Sequence, residues 1–278
     1  MIRGELRKLL RDRIFIGAFW ALFFVHLFTM YTCEKGTARF RFVYQQREEY
    51  LAYCRGEDGH DLSGFYREDT DRQARHIRNY RDFIANMPDR AEYMKQTALY
   101  ADADSYVYRN LDKSCRDFAG LLDSRLDAGN CYGIQGYSAY RAGYFFALVQ
   151  AAVCVYLTVY RERECGLLLL VKGIRRGRGS LASAKLTALL FVSCAYGVLQ
   201  ELSTIFFFGY FYGYGDCGRL LQSVPAYRDC ARKMTVQEAF LAQSGIRLLA
   251  LAVAVILIYA VAMAVKNAVA GMAAAALV

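Results

Sequence analysis

Apolar residues along this 278-residue chain collect in four long stretches, and charged residues fill the spaces between them. The stretches run from Ile14 to Thr32, Ala142 to Tyr160, Leu186 to Gly215 and Leu248 to Val265, the third interrupted only by Glu201. A helix rises about 1.5 Å per residue, so each is long enough for a hydrocarbon core of about 30 Å. The pattern predicts an all-α integral membrane protein with transmembrane helices at 14–32, 142–160, 186–215 and 248–265. Residues 267–278 are apolar again but too few to cross. They read as the start of a fifth transmembrane helix, cut short where the sequence stops.

The intervening segments carry other patterns. In residues 1–13, Ile2, Leu6, Leu9 and Leu10 share one helical face, which predicts an amphipathic helix at the membrane interface. Glu5 and Asp12 in this segment, and the lack of a small-x-small site after the first span, argue for a retained anchor over a cleaved signal peptide. Residues 33–141 are too long for a loop and predict a helical extracellular domain. Phe40, Val43, Tyr44, Tyr50 and Leu51 recur at near-helical spacing. Ile77, Tyr80, Phe83 and Ile84 form one face that Met87-Pro88 ends, and Val107, Leu111, Phe118 and Leu121/Leu122 form another.

Charge sets the orientation. The net charge is +9, and residues 1–13 hold five Lys/Arg against two acids. Residues 161–185 hold seven against two, so both segments read as cytoplasmic. Segment 34–140 balances 16 basic with 18 acidic residues, and loop 216–247 falls outside by span parity. The expectation is a multi-pass plasma-membrane protein with its N-terminus in the cytoplasm. This composition excludes a soluble enzyme and a disordered chain. Basic runs beside spans are explained by topology and membrane lipid, so no nucleic acid is expected as a partner. Three His and no Cys-x-x-Cys leave no metal site to predict.

No catalytic residue stands out. "GIRRGRGS" at 173–180 departs from a phosphate loop at Arg178 and lacks the following Lys-Ser/Thr. "DLSGFY" at 61–66 departs at Phe65 from an ATPase signature. Glu201 is the candidate intramembrane polar site, because a carboxylate inside a span must be paired, neutralised or wetted. Gln200, Gln150 and His26 pose weaker versions of the same question. Gly209 and Gly213 form a Gly-x-x-x-Gly suited to close helix approach. Of nine Cys, Cys217 and Cys230 are the candidate disulfide, closing the second outer loop.

The inner loop, "YRERECGLLLLVKGIRRGRGSLASAKLTALLF", is the most informative stretch. It has a charged start, then Gly166, a short Leu run, a basic cluster and a lysine that opens the next span. The arrangement resembles permease subunits of ABC transporters of the type-2, exporter-like class. "MIRGELRKLLRDRIF" is similar to that family's interfacial start. "ANMPDRAEYM…DADSYVYRNLDKSCRDFAGL" and "LLQSVPAYRDCARKMTVQEAFL" resemble the outer segments of a Gram-positive subgroup with a helical extracellular domain. The family's Thr or Ser and Pro after the Leu run are replaced here by Val171, Lys172 and Gly173.

The resemblance implies six spans, and a coupling contact to an ABC ATP-binding subunit at Glu162, Glu164, Gly166, Leu167, Leu168, Leu169 and Leu170. It also implies a homodimer or a heterodimer with a second permease. No cofactor is expected in this chain, ATP being bound by the partner subunit, and the chain is not itself expected to be an enzyme. The alternative is a membrane-anchored sensor or interaction protein using residues 33–141 as a receptor domain.

Overall fold

The computed structural model describes residues 1–37, 40–41, 43, 64–97, 102–121, 124, 126–127, 129–166 and 178–265. Leu167–Leu170, Tyr44, Tyr50, Leu51, Leu122 and the expected fifth span at 267–278 lie outside the described residues. The helices are α1 (Ile2–Arg11), α2 (Arg13–Lys35), α3 (Gly64–Ala85), α4 (Met87–Lys95), α5 (Tyr106–Ala119), α6 (Tyr132–Ala139), α7 (Ala142–Val155), α8 (Arg178–Tyr212) and α9 (Val236–Ala264). After α7 the chain runs through a π-helical turn, Tyr156–Tyr160, into a last α-turn, Arg161–Glu164. Among the described residues there is no strand, only a Leu220–Thr235 bridge.

The protein is all-α, and four helical stretches are long and apolar enough to cross a bilayer. They are Arg13–Lys35, Tyr132–Glu164, Gly179–Tyr212 and Val236–Ala264. Exposure decides between a water-soluble bundle and a multi-pass membrane protein. Trp20, Phe24 and Phe28 lie at four-residue steps along α2, and Phe191, Phe206, Leu249 and Val253 lie on α8 and α9; all are exposed. So much uncovered aromatic and aliphatic surface suits lipid and is unfavourable in water.

The helix ends depart from the expected span limits. Thr235 and Glu238 form a reciprocal capping box, with Glu238 N donating to Thr235 Oγ1 (3.2 Å) and Thr235 N to Glu238 Oε2 (2.8 Å). It starts α9 twelve residues before the expected Leu248. The second stretch begins at Tyr132 rather than Ala142 and breaks between α6 and α7 at Tyr140–Arg141. α8 starts inside the segment taken as inner loop and ends at Tyr212. Gly213 caps it at φ +65°, a conformation glycine adopts without strain. The Gly209/Gly213 pair is thus a helix end. It is a close approach too, since a Cβ added at Gly133 of α6 would strike the Gly213 carbonyl; another lies at Gly197 of α8, where an added Cβ would stand 2.7 Å from Leu251 Cδ2 of α9.

The chain divides into two compact units. The first, Met1–Arg41, Tyr137–Phe207 and Gln243–Val278, is the membrane unit. Its core takes Ala147, Ala151, Cys154 and Val155 of α7 at helical spacing, with Leu189, Val192 and Tyr196 of α8 and Leu251, Val255 and Ile258 of α9. Small side chains at the centre let the backbones approach. Leu9 of α1 is buried in this core, while Ile2 and Leu10 remain exposed.

The second unit, Phe42–Gly136 with Phe208–Ala242, joins the segment expected as an outer domain to the segment expected as a separate outer loop. Ile77, Tyr80 and Ile84 of α3 pack with Leu121, Leu126 and Leu220. Pro88 sits in the first turn of α4, where its missing N–H costs nothing, so Met87-Pro88 ends one helix by starting the next. Ser105 caps α5 by accepting from Tyr108 N at 3.1 Å.

Candidate functional site

Two ionic clusters mark the membrane unit. The first is built on the run Arg161-Glu162-Arg163-Glu164. Thr158 in the π-turn donates back to Cys154 O (2.8 Å), and such wide turns recur at functional positions in helices. Glu162 follows, its side chain only 9% exposed. One carboxylate oxygen pairs with Lys185 of α8 and the other with Lys8 of α1. The Lys185 side chain is 5% exposed, and its ammonium also donates to Thr158 O at 2.9 Å.

The neighbours in the run hold other elements. Arg161 pairs with Asp12, whose other oxygen caps α2 by accepting from Ile14 N at 2.8 Å. Arg163 donates to Val265 O (2.6 Å) and Met263 O (2.9 Å), serving carbonyls at the α9 end that have no helical N–H left to accept. Glu164 and Cys165 are exposed, and Gly166 follows at φ +71°. Of the expected coupling residues, Glu162 is therefore engaged within the bundle. Glu164 and Gly166 stand at the point where the described segment ends.

The second cluster answers why Glu201 is tolerated in a span. Arg247 Nη1 lies 3.3 Å from both Glu201 oxygens, and Tyr137 Oη donates to Oε2 at 2.9 Å. The two charged side chains are 17% and 12% exposed. Ser244 Oγ stands 2.8 Å from the same phenol, and the guanidinium lies 4.7 Å above the Tyr137 ring. Arg247 Nη2 reaches Tyr137 O and Tyr140 O, each at 3.4 Å. Those carbonyls lie at the α6–α7 break, where a helix in lipid must find other donors. A cavity of about 30 Å³ borders the pair, lined by Gln200, Thr204 and Tyr144 among others. That is room for about one water.

Sequence reasoning found the Glu201 carboxylate and missed its partner. By the apolar pattern alone, Arg247 falls at the end of an outer loop. The available signal was its place, next to the start of the fourth apolar run, against an uncompensated acid in the third. His26 is fully buried, with Tyr140 Oη 3.1 Å from Nδ1 and Ser203 Oγ 3.2 Å from Nε2. Ser203 spends its own proton on Gln200 O (2.8 Å), so the imidazole donates from Nε2 and accepts at Nδ1.

Cys217 and Cys230, the candidate disulfide, stand as free thiols in this structure. Each sulfur faces a carbonyl of its own turn, Gly215 O at 3.9 Å and Arg232 O at 3.8 Å. The loop is closed by backbone bonds instead, Leu221 N to Met234 O (2.9 Å), Val236 N to Arg219 O (3.0 Å) and Gln237 N to Cys217 O (3.0 Å). Burial pushes the Cys217 thiol up from its ordinary range, so little thiolate forms at neutral pH. Both cysteines should therefore be alkylated by iodoacetamide without reductant, Cys217 more slowly at neutral pH than an ordinary exposed thiol. Labelling that requires prior reduction would show a disulfide.

Comparison with protein-family models, curated protein sequences and solved structures finds no match for this chain.

Proposed function

We propose that this chain is the membrane-embedded permease subunit of an ABC transporter, an exporter driven by ATP hydrolysis in a separate subunit. The N-terminus and the segment between α7 and α8 would face the cytoplasm, and the helical unit would lie outside. The supporting observation is the Glu162 cluster. It sits just before the Gly-Leu-rich-basic segment that resembles a coupling helix, and it ties the start of that segment to α1 and α8 by ion pairs, while Arg163 ties it to α9.

A coupling segment has to pass a displacement to several spans at once, and that requires a packed contact whose energy differs between two states. A buried carboxylate shared by two lysines from different helices moves as a unit or breaks. In this reading the ATP-binding subunit presses on Leu167–Leu170, and the Arg161–Glu164 turn carries the motion into the bundle. Glu162 acts as a positioning residue, with Glu164 and Gly166 nearest the partner. The permease would work as a homodimer or with a second permease.

Cys165 is exposed beside this segment and gives the test. A maleimide crosslinker on the tagged chain in native membranes should capture an ATP-binding subunit, and Cys165→Ser should abolish the capture. Leu168→Asp should leave membrane insertion intact and reduce ATP-driven transport at least tenfold. A correctly inserted protein that captures no ATPase, or full transport by Leu168→Asp, would sink the proposal.

A further inference from the structure

A cavity of about 290 Å³ opens in the helical unit, close to the lower size of small-molecule sites. One wall is α3. His76, Asn79, Tyr80 and Phe83 share a face there by their spacing, and all line the cavity. The His76 and Tyr80 rings stack at 6.1 Å and 21°, and the Tyr80 and Phe83 rings at 6.5 Å and 23°. The result is a row of near-parallel rings along one wall, with Tyr80 itself packed into the core beside Ile77, Ile84 and Leu121.

The other wall is the turn carrying Arg228 and Asp229. Gln222, buried at its base, fixes this turn by donating to Cys230 O (2.7 Å) and Arg232 O (2.8 Å). The Gln222 carbonyl lies 3.4 Å from His76 Nε2, which joins the turn to α3.

The Tyr80 hydroxyl carries the argument. Tyr80 is 5% exposed, yet its hydroxyl has no hydrogen-bond partner among the described residues. Buried hydroxyls are nearly always paired, so an orphan in a cavity wall points to a missing acceptor. Burial, with the negative charge of Asp229 adding to it, pushes the phenol up to about 12, so it remains a donor at neutral pH. At the rim, Arg228 Nε stands 3.4 Å from Asp229 Oδ1, which leaves its terminal nitrogens for another acceptor.

We infer that this cavity binds a small zwitterion bearing a flat apolar group, the chemistry an aromatic amino acid presents. The carboxylate takes Arg228 and the Tyr80 hydroxyl, the ammonium takes Asp229, and the ring lies against the aromatic wall where Phe83 is exposed. The site stands apart from the transport reading, and either can fail without the other.

The test uses the whole chain in nanodiscs titrated with L-phenylalanine by calorimetry, beside phenylacetate and phenethylamine. Saturable one-to-one binding is expected, weakened about tenfold or more by Tyr80→Phe and by Arg228→Gln. Each single-charge analogue should bind at least tenfold more weakly than phenylalanine. Tyr80→Phe should melt no lower than the parent, because the hydroxyl it removes has no partner among the described residues. Folded protein that fails to bind phenylalanine at millimolar concentration would overturn the inference. So would binding indifferent to both substitutions, or an analogue that binds as tightly as phenylalanine.

Discussion

Alanine at Glu162 should destabilise the membrane unit by about 3–5 kcal/mol, the usual consequence of removing one partner from a buried ion pair. The reason lies with Lys185. Its ammonium is almost wholly enclosed, and without the carboxylate it keeps only the Thr158 carbonyl. Lys8 matters less, since half its side chain is exposed and water can replace its partner. The double variant Glu162→Leu/Lys185→Leu should recover most of the loss, because no buried charge is left behind. Thermal unfolding of purified protein in detergent reads both. A single variant within about 1 kcal/mol of the parent would show that the cluster is hydrated, since a dry one cannot lose its carboxylate so cheaply. The transport reading adds a second expectation: the double variant should be stable and yet uncoupled.

Methionine at Arg247 should cost about 3 kcal/mol or more by the same logic, because a largely buried carboxylate loses its counter-charge. Glu201 loses its counter-charge and keeps the Tyr137 hydroxyl, and the Arg247 contacts to Tyr137 O and Tyr140 O at the helix break go with it. Lysine at 247 restores the charge but cannot serve the carboxylate and both carbonyls from one planar fork, so it should recover only part of the loss. A double-mutant cycle with Glu201→Gln should show a coupling above about 1 kcal/mol. Additive effects would mean that the two side chains do not meet in the folded protein.

The four spans were legible because a run of 18 uncharged apolar residues has few other uses. Their ends were not, because the ends are amphipathic. Tyr132–Ala139 mixes Tyr, Gly, Gln and Ser, and the first turns of α9 include Glu238. The Thr235–Glu238 capping box was in plain view and would have placed the start of α9. Glu201 was legible as a problem, since its cost follows from its depth alone. Arg247 as the solution depends on which helices adjoin, and that information is not local.

Glu162 shows the same limit from the other side. A carboxylate in a charged run at a membrane surface looks available to a partner. Only the positions of Lys8 and Lys185 show that it is occupied. The backbone pairing that closes the loop between Cys217 and Cys230 was equally out of view, because two cysteines bracketing a loop do not reveal it.

The placing of these charges also orders the birth of the protein. Glu201 and Arg247 are 46 residues apart in sequence. At about 5–20 residues per second, the carboxylate leaves the ribosome roughly 2–9 s before its counter-ion. Through that interval the third span carries an acid with no basic partner, and it settles only when the fourth arrives. Glu162 is better provided, with Lys8 already made and Lys185 only 23 residues behind it. Of the two ionic clusters among the described residues, the Glu201 cluster is therefore the later to close.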